Sequence, residues 1–335
     1  MSTRSKRAFI TGVYGQDGSY LAEVLLDSGY EVLGLVSPSD KKNQDAKLFQ
    51  EKKEFSLFVA NLEDAGRIVE KLEEFRPHEI YNLAAVSDLK TAKERPEYTY
   101  DINYTAFKNL VTHATDIDSS VKIFQALSSR ILVPNTQGVI EETSQFSEPS
   151  NAYDKAKRDS YTFVRDYRDR GFFVASGFLC NHESPRRGPR FVTGKIARGV
   201  IDIENGAIEK IYVGNVNALR DWSHAKDVVR AMYAVLQVPV SDDYVIGSGE
   251  LHSVRDFISE AFNAIKMPLT WAGEGIDTYA VDLSGTVRVA VDPEFFQVDD
   301  NPVVSNTKKL KTDTGWSPKI SFSELISEMV EAERL

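Results

Sequence analysis

A chain of 335 residues, 42% of them apolar, is long enough for one large domain or two joined ones around a sizeable core, which excludes a disordered or fibrous protein. Its formal charge of −10 gives a surface that repels phosphate, so nucleic acid and anionic membranes are excluded as principal partners.

The N-terminal "MSTRSKR" is basic, but the apolar "AFITGV" after it is too short for a signal-peptide core. No run of about 18 apolar residues follows, so a soluble, cytoplasmic protein is expected. Strands are predicted near 7–13, 31–36, 55–59, 78–83 and 121–127, separated by helical patterns such as "DGSYLAEVLLDSG" and "LEDAGRIVEKLEEF". In the first of these the apolar residues recur at helical spacing, and Gly29 stops the helix before the next strand. Strands alternating with helices imply an α/β protein with a doubly wound parallel sheet, covered on both faces. A long helix follows over "AYDKAKRDSYTFVRDYRDRG", then the strand "FFVASGFLC". Its Cys180, the one cysteine, reads as a buried thiol with no intrachain disulfide, which fits a reducing cytosol. Beyond lie the loop "NHESPRRGPRF", a helix near 192–205 and shorter elements. The final helix, "SFSELISEMVEAERL", has an apolar stripe of Phe322, Leu325, Ile326 and Met329, with Ser321 or Ser323 as its cap.

In "ITGVYGQDGSYLAE", Gly12, Gly15 and Gly18 stand three apart, after a strand and opening a helix. Glycine there permits a tight turn, close approach of backbone to a pyrophosphate, and close packing of helix on strand, while the helix N-terminus offers free N–H groups. The pattern predicts a nicotinamide dinucleotide, NAD or NADP. An acid at the tip of the second strand would mark NAD, but "LVSPSDKKN" leaves the choice open: Asp40 folding back would favour NAD, and Lys41 with Lys42 would hold a 2′-phosphate.

Tyr153 and Lys157 lie four apart early in a helix and share a face. An ammonium about 4 Å from a phenolate is worth about 1 kcal/mol in water and about 4 kcal/mol at an effective dielectric near 20. That would lower the tyrosine pKa by up to about three units, towards a usable base.

Together with "YNLAAVSDLK", "RPEYTYDIN", "NHESPRRGPRFVTGKI", "GNVNALRDWSHAKDVVRAM", "DDYVIGSGELHSVRDF" and "TGWSPKISFSELISEMVEA", these stretches resemble the extended short-chain dehydrogenase/reductases (SDR) that modify nucleotide-sugars. Among them the chain is most similar to the GDP-mannose 4,6-dehydratase family, over nearly its whole length. The resemblance implies a Rossmann-type NAD(P)-binding domain over 1–180, with return segments near 211–248, and a smaller, discontinuous, mixed α/β substrate domain mainly over 181–335. It implies that Ser128 bonds the sugar C4 oxygen, that Tyr153 is the base and that Lys157 is its partner. Cofactor contacts are implied for Gly12, Gly15, Gln16, Asp17, Gly18, Asn61, Leu62, Leu83, Ala84, Ala85, Tyr153 and Lys157. Contacts to a nucleotide-sugar are implied for Asn181, Lys195 and Arg220; Ser87, Asp88, Arg130 and Gln297 are further candidates to bind it, and no metal is expected. Arg186 and Arg187 are read either as a solvated pair or as a cofactor or subunit contact. His224 is read as a helix cap or packing residue, and Trp222 as core.

Three departures from the family pattern stand out. Two residues past the strand-end serine the family has a glutamate, the base for the C5 proton, where this chain has Arg130; Leu132 and Val133 replace the tyrosine and glycine that close the motif. The arginine-bearing loop after strand two is replaced by "SPSDKK", and a diphosphate-binding arginine near the C-terminus by Gln297. Oxidation at C4 needs only the serine, tyrosine, lysine and cofactor, whereas elimination across C5 and C6 needs a base. Arginine stays protonated, and losing a positioned base costs roughly 10²- to 10⁴-fold. The expected activity is therefore an NAD(P)-dependent oxidoreductase at C4 of a GDP-hexose-type nucleotide-sugar: a 4-keto reductase or a C4 dehydrogenase or epimerase. Two alternatives are a dehydratase rescued by Asp88, or by Glu141 or Glu142 folding inward, and a non-catalytic nucleotide-sugar-binding homologue. Tyr104, Phe107, Leu110, Tyr161, Phe163 and Tyr167, on the helices near 96–116 and 151–170, are read as partly available for a four-helix interface between subunits. A homodimer or homotetramer is expected.

Overall fold

The computed structural model describes residues 5–39, 51–188, 191–298 and 302–334. In the first half strand and helix alternate: β1 (Arg7–Thr11), α1 (Gln16–Asp27), β2 (Glu31–Val36), β3 (Phe55–Val59), α2 (Ala65–Phe75) and β4 (Glu79–Asn82). A broken helical run, α3 (Leu89–Glu94), α4 (Pro96–Tyr100) and α5 (Ala106–Ile117), leads to β5 (Lys122–Ser128). Short β6 (Val139–Ile140), α6 (Ala152–Asp169), β7 (Val174–Leu179), β8 (Asn181–Glu183) and α7 (Val192–Glu204) come next. Then follow β9 (Ile211–Val213), β10 (Leu219–Arg220), β11 (Trp222–His224), α8 (Ala225–Gln237), β12 (Asp243–Ile246), β13 (His252–Ser253) and α9 (Val254–Ala264). The chain ends with β14 (Thr270–Ala272), β15 (Tyr279–Val281), β16 (Val287–Val291), β17 (Val304–Ser305), α10 (Lys308–Thr314) and α11 (Phe322–Ala332).

Seven strands form one parallel sheet in the order β12-β7-β5-β4-β1-β2-β3. The apolar run "IFQAL" of β5 is buried throughout, as a strand covered on both faces must be. Leu21 and Leu25 of α1 with Met232 and Leu236 of α8 cover one face. Leu72 of α2, Phe107 and Leu110 of α5 and Val164 of α6 cover the other. A second core joins α7, α9 and α11 to a small sheet in the order β14-β15-β16-β9. Ile211–Val213, read among the segments returning to the large sheet, pairs with β16 of this small sheet instead; the return is made by α8 and β12.

One other expectation changes. Residues 96–116 are not one α-helix, because a π-helical turn, Asp101–Thr105, separates α4 from α5. Of the residues read as partly available for a subunit interface, Phe107, Leu110 and Tyr167 are buried within the chain, and Phe163 packs on both Phe107 and Tyr167. Tyr104, Tyr161 and Phe163 are only partly buried and keep exposed area on these two helices. Trp222 is core, packed on Phe257 and Phe322. His224 caps α8, its Nδ1 accepting from the Lys226 N–H at 2.9 Å, and burial pushes its imidazole down. Ser321, not Ser323, caps α11, in a reciprocal box with Glu324. Cys180 is buried, and burial pushes its thiol pKa up. No helix among the described residues is long and apolar enough to cross a membrane.

Candidate active site

Strand order reverses between β1 and β4, and the crevice at the carboxyl ends of such strands is where ligands bind in open α/β sheets. A cavity of about 1070 Å³ lies there. Its wall begins where β1 ends. Gly12 has φ 71°, and a β-carbon on it would sit 3.0 Å from the Ala84 Cα. One on Gly18 would sit 2.3 Å from the Gly12 carbonyl oxygen. The Thr11 hydroxyl donates to Asn82 Oδ1 at 2.8 Å and accepts from the Leu83 and Ala84 N–H groups at 3.0 Å, so the exits of β1 and β4 are fixed together. Gly15 caps α1 without a side chain, so the helix N-terminus faces the cavity unblocked. A cradle that a β-carbon would fill, opening on free helix N–H groups, fits the pyrophosphate of a dinucleotide. Gly12, Gly15, Gln16, Asp17, Gly18, Asn61, Leu62, Leu83, Ala84 and Ala85 all line it. Asp17 turns aside to His182 at 2.9 Å; burial opposes its ionisation, but the imidazole holds its carboxyl below the usual range. Ser37 and Ser39 line the cavity at the tip of β2, whereas Asp40, Lys41 and Lys42 lie outside the described residues.

Ser128, Tyr153 and Lys157 come together on the opposite wall. Asn151 caps α6, which sets the tyrosine and lysine one turn apart on the face towards β5. Ser128 lies near enough to the Tyr153 phenol to pull its pKa down. Lys157 Nζ lies 5.7 Å from the centroid of the Tyr153 ring and donates to the Ala126 carbonyl at 2.7 Å. The lowered tyrosine pKa expected from this pair is not present in the protein alone. Burial raises Tyr153 more than Ser128 and Arg130 lower it, and burial brings Lys157 down to about 8. Desolvation outweighs charge because both groups are deep in the wall and the lysine donates to a carbonyl.

Arg130 also lines the cavity. Its Nε donates to Asp154 Oδ1 at 3.0 Å, and Asp154 accepts further from the Ser150 N–H and hydroxyl and from Asn151 Nδ2. None of the three proposed substitute acids reaches the cavity. Asp88 caps α3, accepting from the Lys90 and Thr91 N–H groups and the Thr91 hydroxyl, while its neighbour Ser87 does line the space. Glu142 accepts from the Val245 N–H on the edge strand β12, where burial raises its pKa, and exposed Glu141 accepts from Thr143 and Asn306. Each carboxylate is drawn instead to a nearby N–H or O–H donor.

A second cavity, of about 450 Å³, shares Asn181 and Arg220 with the first and adds Lys195 and Gln297. Arg187 borders both cavities, with Nε 3.0 Å from Glu183 and its guanidinium over the Phe191 ring. Arg186 faces neither: it ties the loop to α1 through Glu23 and Ser19. Three residues that shape the site carry no local signal in the sequence. Buried Asn103, at the π-turn, bonds both the N–H and the carbonyl of Val86 and so holds the cavity loop after β4. Asp221 joins Ser248, Gly249 and Ser305 at the rim. Asp154 was visible only as a charge beside Tyr153. Among the described residues no group of three or more His, Cys, Asp or Glu side chains could hold a metal ion.

This arrangement of sheet, switch point and tyrosine–lysine helix is that of an extended SDR. A dTDP-glucose 4,6-dehydratase from Bacillus anthracis, solved with NAD, has the same fold at a TM-score of 0.80 and 17% identity, over 98% of this chain and 97% of that one. A UDP-glucose 4-epimerase from Thermotoga maritima, solved with UDP-glucose, matches at 0.80 and 19%, over 98% of each chain. In sequence the likeness is narrower. The family model described as GDP-mannose 4,6 dehydratase matches residues 9–329, and a GDP-mannose 4,6 dehydratase of Caenorhabditis elegans is 38% identical, covering 98% of this chain and 89% of its own length. The chain belongs to the GDP-mannose 4,6-dehydratase family.

Proposed function

We propose that this chain is an NAD- or NADP-dependent oxidoreductase that acts at C4 of a GDP-hexose-type nucleotide-sugar and does not eliminate water efficiently. The bound dinucleotide supplies the hydride acceptor or donor. Ser128 holds the C4 oxygen, Tyr153 takes or returns its proton, and Lys157 supplies the positive charge that favours the phenolate. Lys195 and Arg220 suit the sugar-nucleotide diphosphate, for which compact and forked cations are apt. In this reading the first half of the chain carries the cofactor and the later segments most of the substrate, in an assembly of two or four copies.

The observation that carries the reading is the cation at the end of β5. The ionisable group that stands beside Ser128 and Tyr153 there is Arg130, and arginine cannot accept the C5 proton. The names of the relatives favour a second reading, a working 4,6-dehydratase, which then needs a carboxylate other than Asp88, Glu141 or Glu142 as they stand.

Incubation with GDP-mannose in heavy water, followed by product mass, decides between them: deuterium gain with loss of water would refute the reading without dehydration. Incubation of the 4-keto-6-deoxy product with reduced cofactor should consume cofactor. Tyr153→Phe should lower turnover by roughly 10²- to 10⁴-fold and leave ligand binding intact. A wild type that shows no cofactor redox change with any nucleotide-sugar would leave only a binding protein.

A further inference from the structure

Arg130 is anchored at one edge only. Its Nε is taken by Asp154, whose side chain is 6% exposed, while its own side chain is 49% exposed and borders the cavity. Asp154 is held independently by Ser150 and Asn151, so it fixes the guanidinium without needing its outer edge. The two terminal nitrogens, Nη1 and Nη2, have no hydrogen-bond partner among the described residues. Of the other acids lining the cavity, Asp17 is engaged by His182 and Asp221 by Ser248, Gly249 and Ser305, while Glu63 is an exposed residue after β3. A forked donor with a fixed plane and a free outer edge matches the two oxygens of a carboxylate.

Its place on the wall says which carboxylate. The Arg130 N–H donates to Ser128 Oγ at 3.3 Å, and the guanidinium is tied to the residue that follows Tyr153. It therefore stands next to the point where Ser128 and Tyr153 meet the C4 oxygen. On a pyranose the groups flanking C4 are the 3-hydroxyl and C5 with its C6 substituent, and the one of these that carries charge in oxidised sugars is a C6 carboxylate. We infer that the substrate is a nucleotide-linked hexuronate, its C6 carboxylate held by Arg130. This rests on the C4 oxidoreductase reading and names its substrate class. In the step itself the C4 hydride passes to the oxidised dinucleotide and the 4-hydroxyl proton to Tyr153, while the carboxylate is unchanged.

The test compares GDP-mannuronate with GDP-mannose and UDP-glucuronate with UDP-glucose, by cofactor reduction with NAD and with NADP and by calorimetric binding. In at least one pair the hexuronate should be favoured roughly tenfold to a hundredfold in kcat/KM and in affinity, as a charge-assisted pair provides. Arg130→Gln should remove most of that preference, chiefly through KM. If the single variant folds poorly because it leaves Asp154 unpaired, Arg130→Gln with Asp154→Asn replaces it. Neutral hexoses used as well as or better than hexuronates would overturn the inference and leave the oxidoreductase reading standing. No turnover of any of the four, with hexuronates still bound more tightly, would sink the oxidoreductase reading and keep the carboxylate site; no preference in binding or turnover would end it.

Discussion

At the glycine turn the cavity wall is backbone packed on backbone, whereas at the end of β5 it is a set of side chains held by charge. A β-carbon on Gly18 would come within 2.7 Å of the Val13 Cα, so this end has almost no freedom to change residue type. At the other end Arg130 pairs with Asp154 through Nε alone, a contact between side chains that sets no steric limit on residue type like the one at Gly18. The first end is constrained by sterics and serves one ligand class; the second is where a family can change its chemistry without losing its fold.

The sharpest way to break that contrast is to rebuild the charges. Arg130→Glu with Asp154→Asn places a carboxylate beside Ser128 without a buried like-charged neighbour. Solvent deuterium should then enter C5 of GDP-mannose at least about 10²-fold faster than in the wild type. No gain would mean that the charge at this position does not limit elimination.

Lys157 tests the burial that both ends share. Its folded pKa is about 8 against a reference of 10.5, so in that window the unfolded chain binds more protons and wild-type stability rises with pH. The rise should reach about 3 kcal/mol. Lys157→Met should lack it, which urea midpoints at about pH 7 and about pH 10 would show; an equal slope in the variant refutes a buried, depressed lysine.

Gly18→Ala should cost about 1–3 kcal/mol, because the new methyl meets backbone that cannot rotate away, and should weaken dinucleotide binding as well. Calorimetry giving wild-type affinity would show that the turn can relax. The smallest effect is expected of Asp88→Ala, about 1 kcal/mol for a lost helix cap. The ratio of C5 exchange to C4 oxidation should stay as it was, and a collapse of that ratio would restore Asp88 as an acid or base.

How much was legible in the sequence follows the same division. Gly12, Gly15 and Gly18, the five early strands and the Tyr153–Lys157 spacing could be read directly, since hydrophobic period and glycine spacing are local properties of the chain. Which aromatics of α5 and α6 cover the sheet was not legible, because in sequence a ring on a helix looks the same whether it packs on its own sheet or on a second subunit. Asp88, Glu141 and Glu142 looked equally able to reach the site, for nothing local tells a carboxylate which donor it will find.

The sequence by itself determined the doubly wound sheet, the dinucleotide turn and the presence of a cation two residues past Ser128. Only the tertiary structure decided that Asp154 holds that cation by one edge, that Asn103 secures the loop after β4, and that the candidate acids are bound elsewhere. Periodicity and steric demand act along the chain, whereas the pairing of buried charges depends on which distant segments meet.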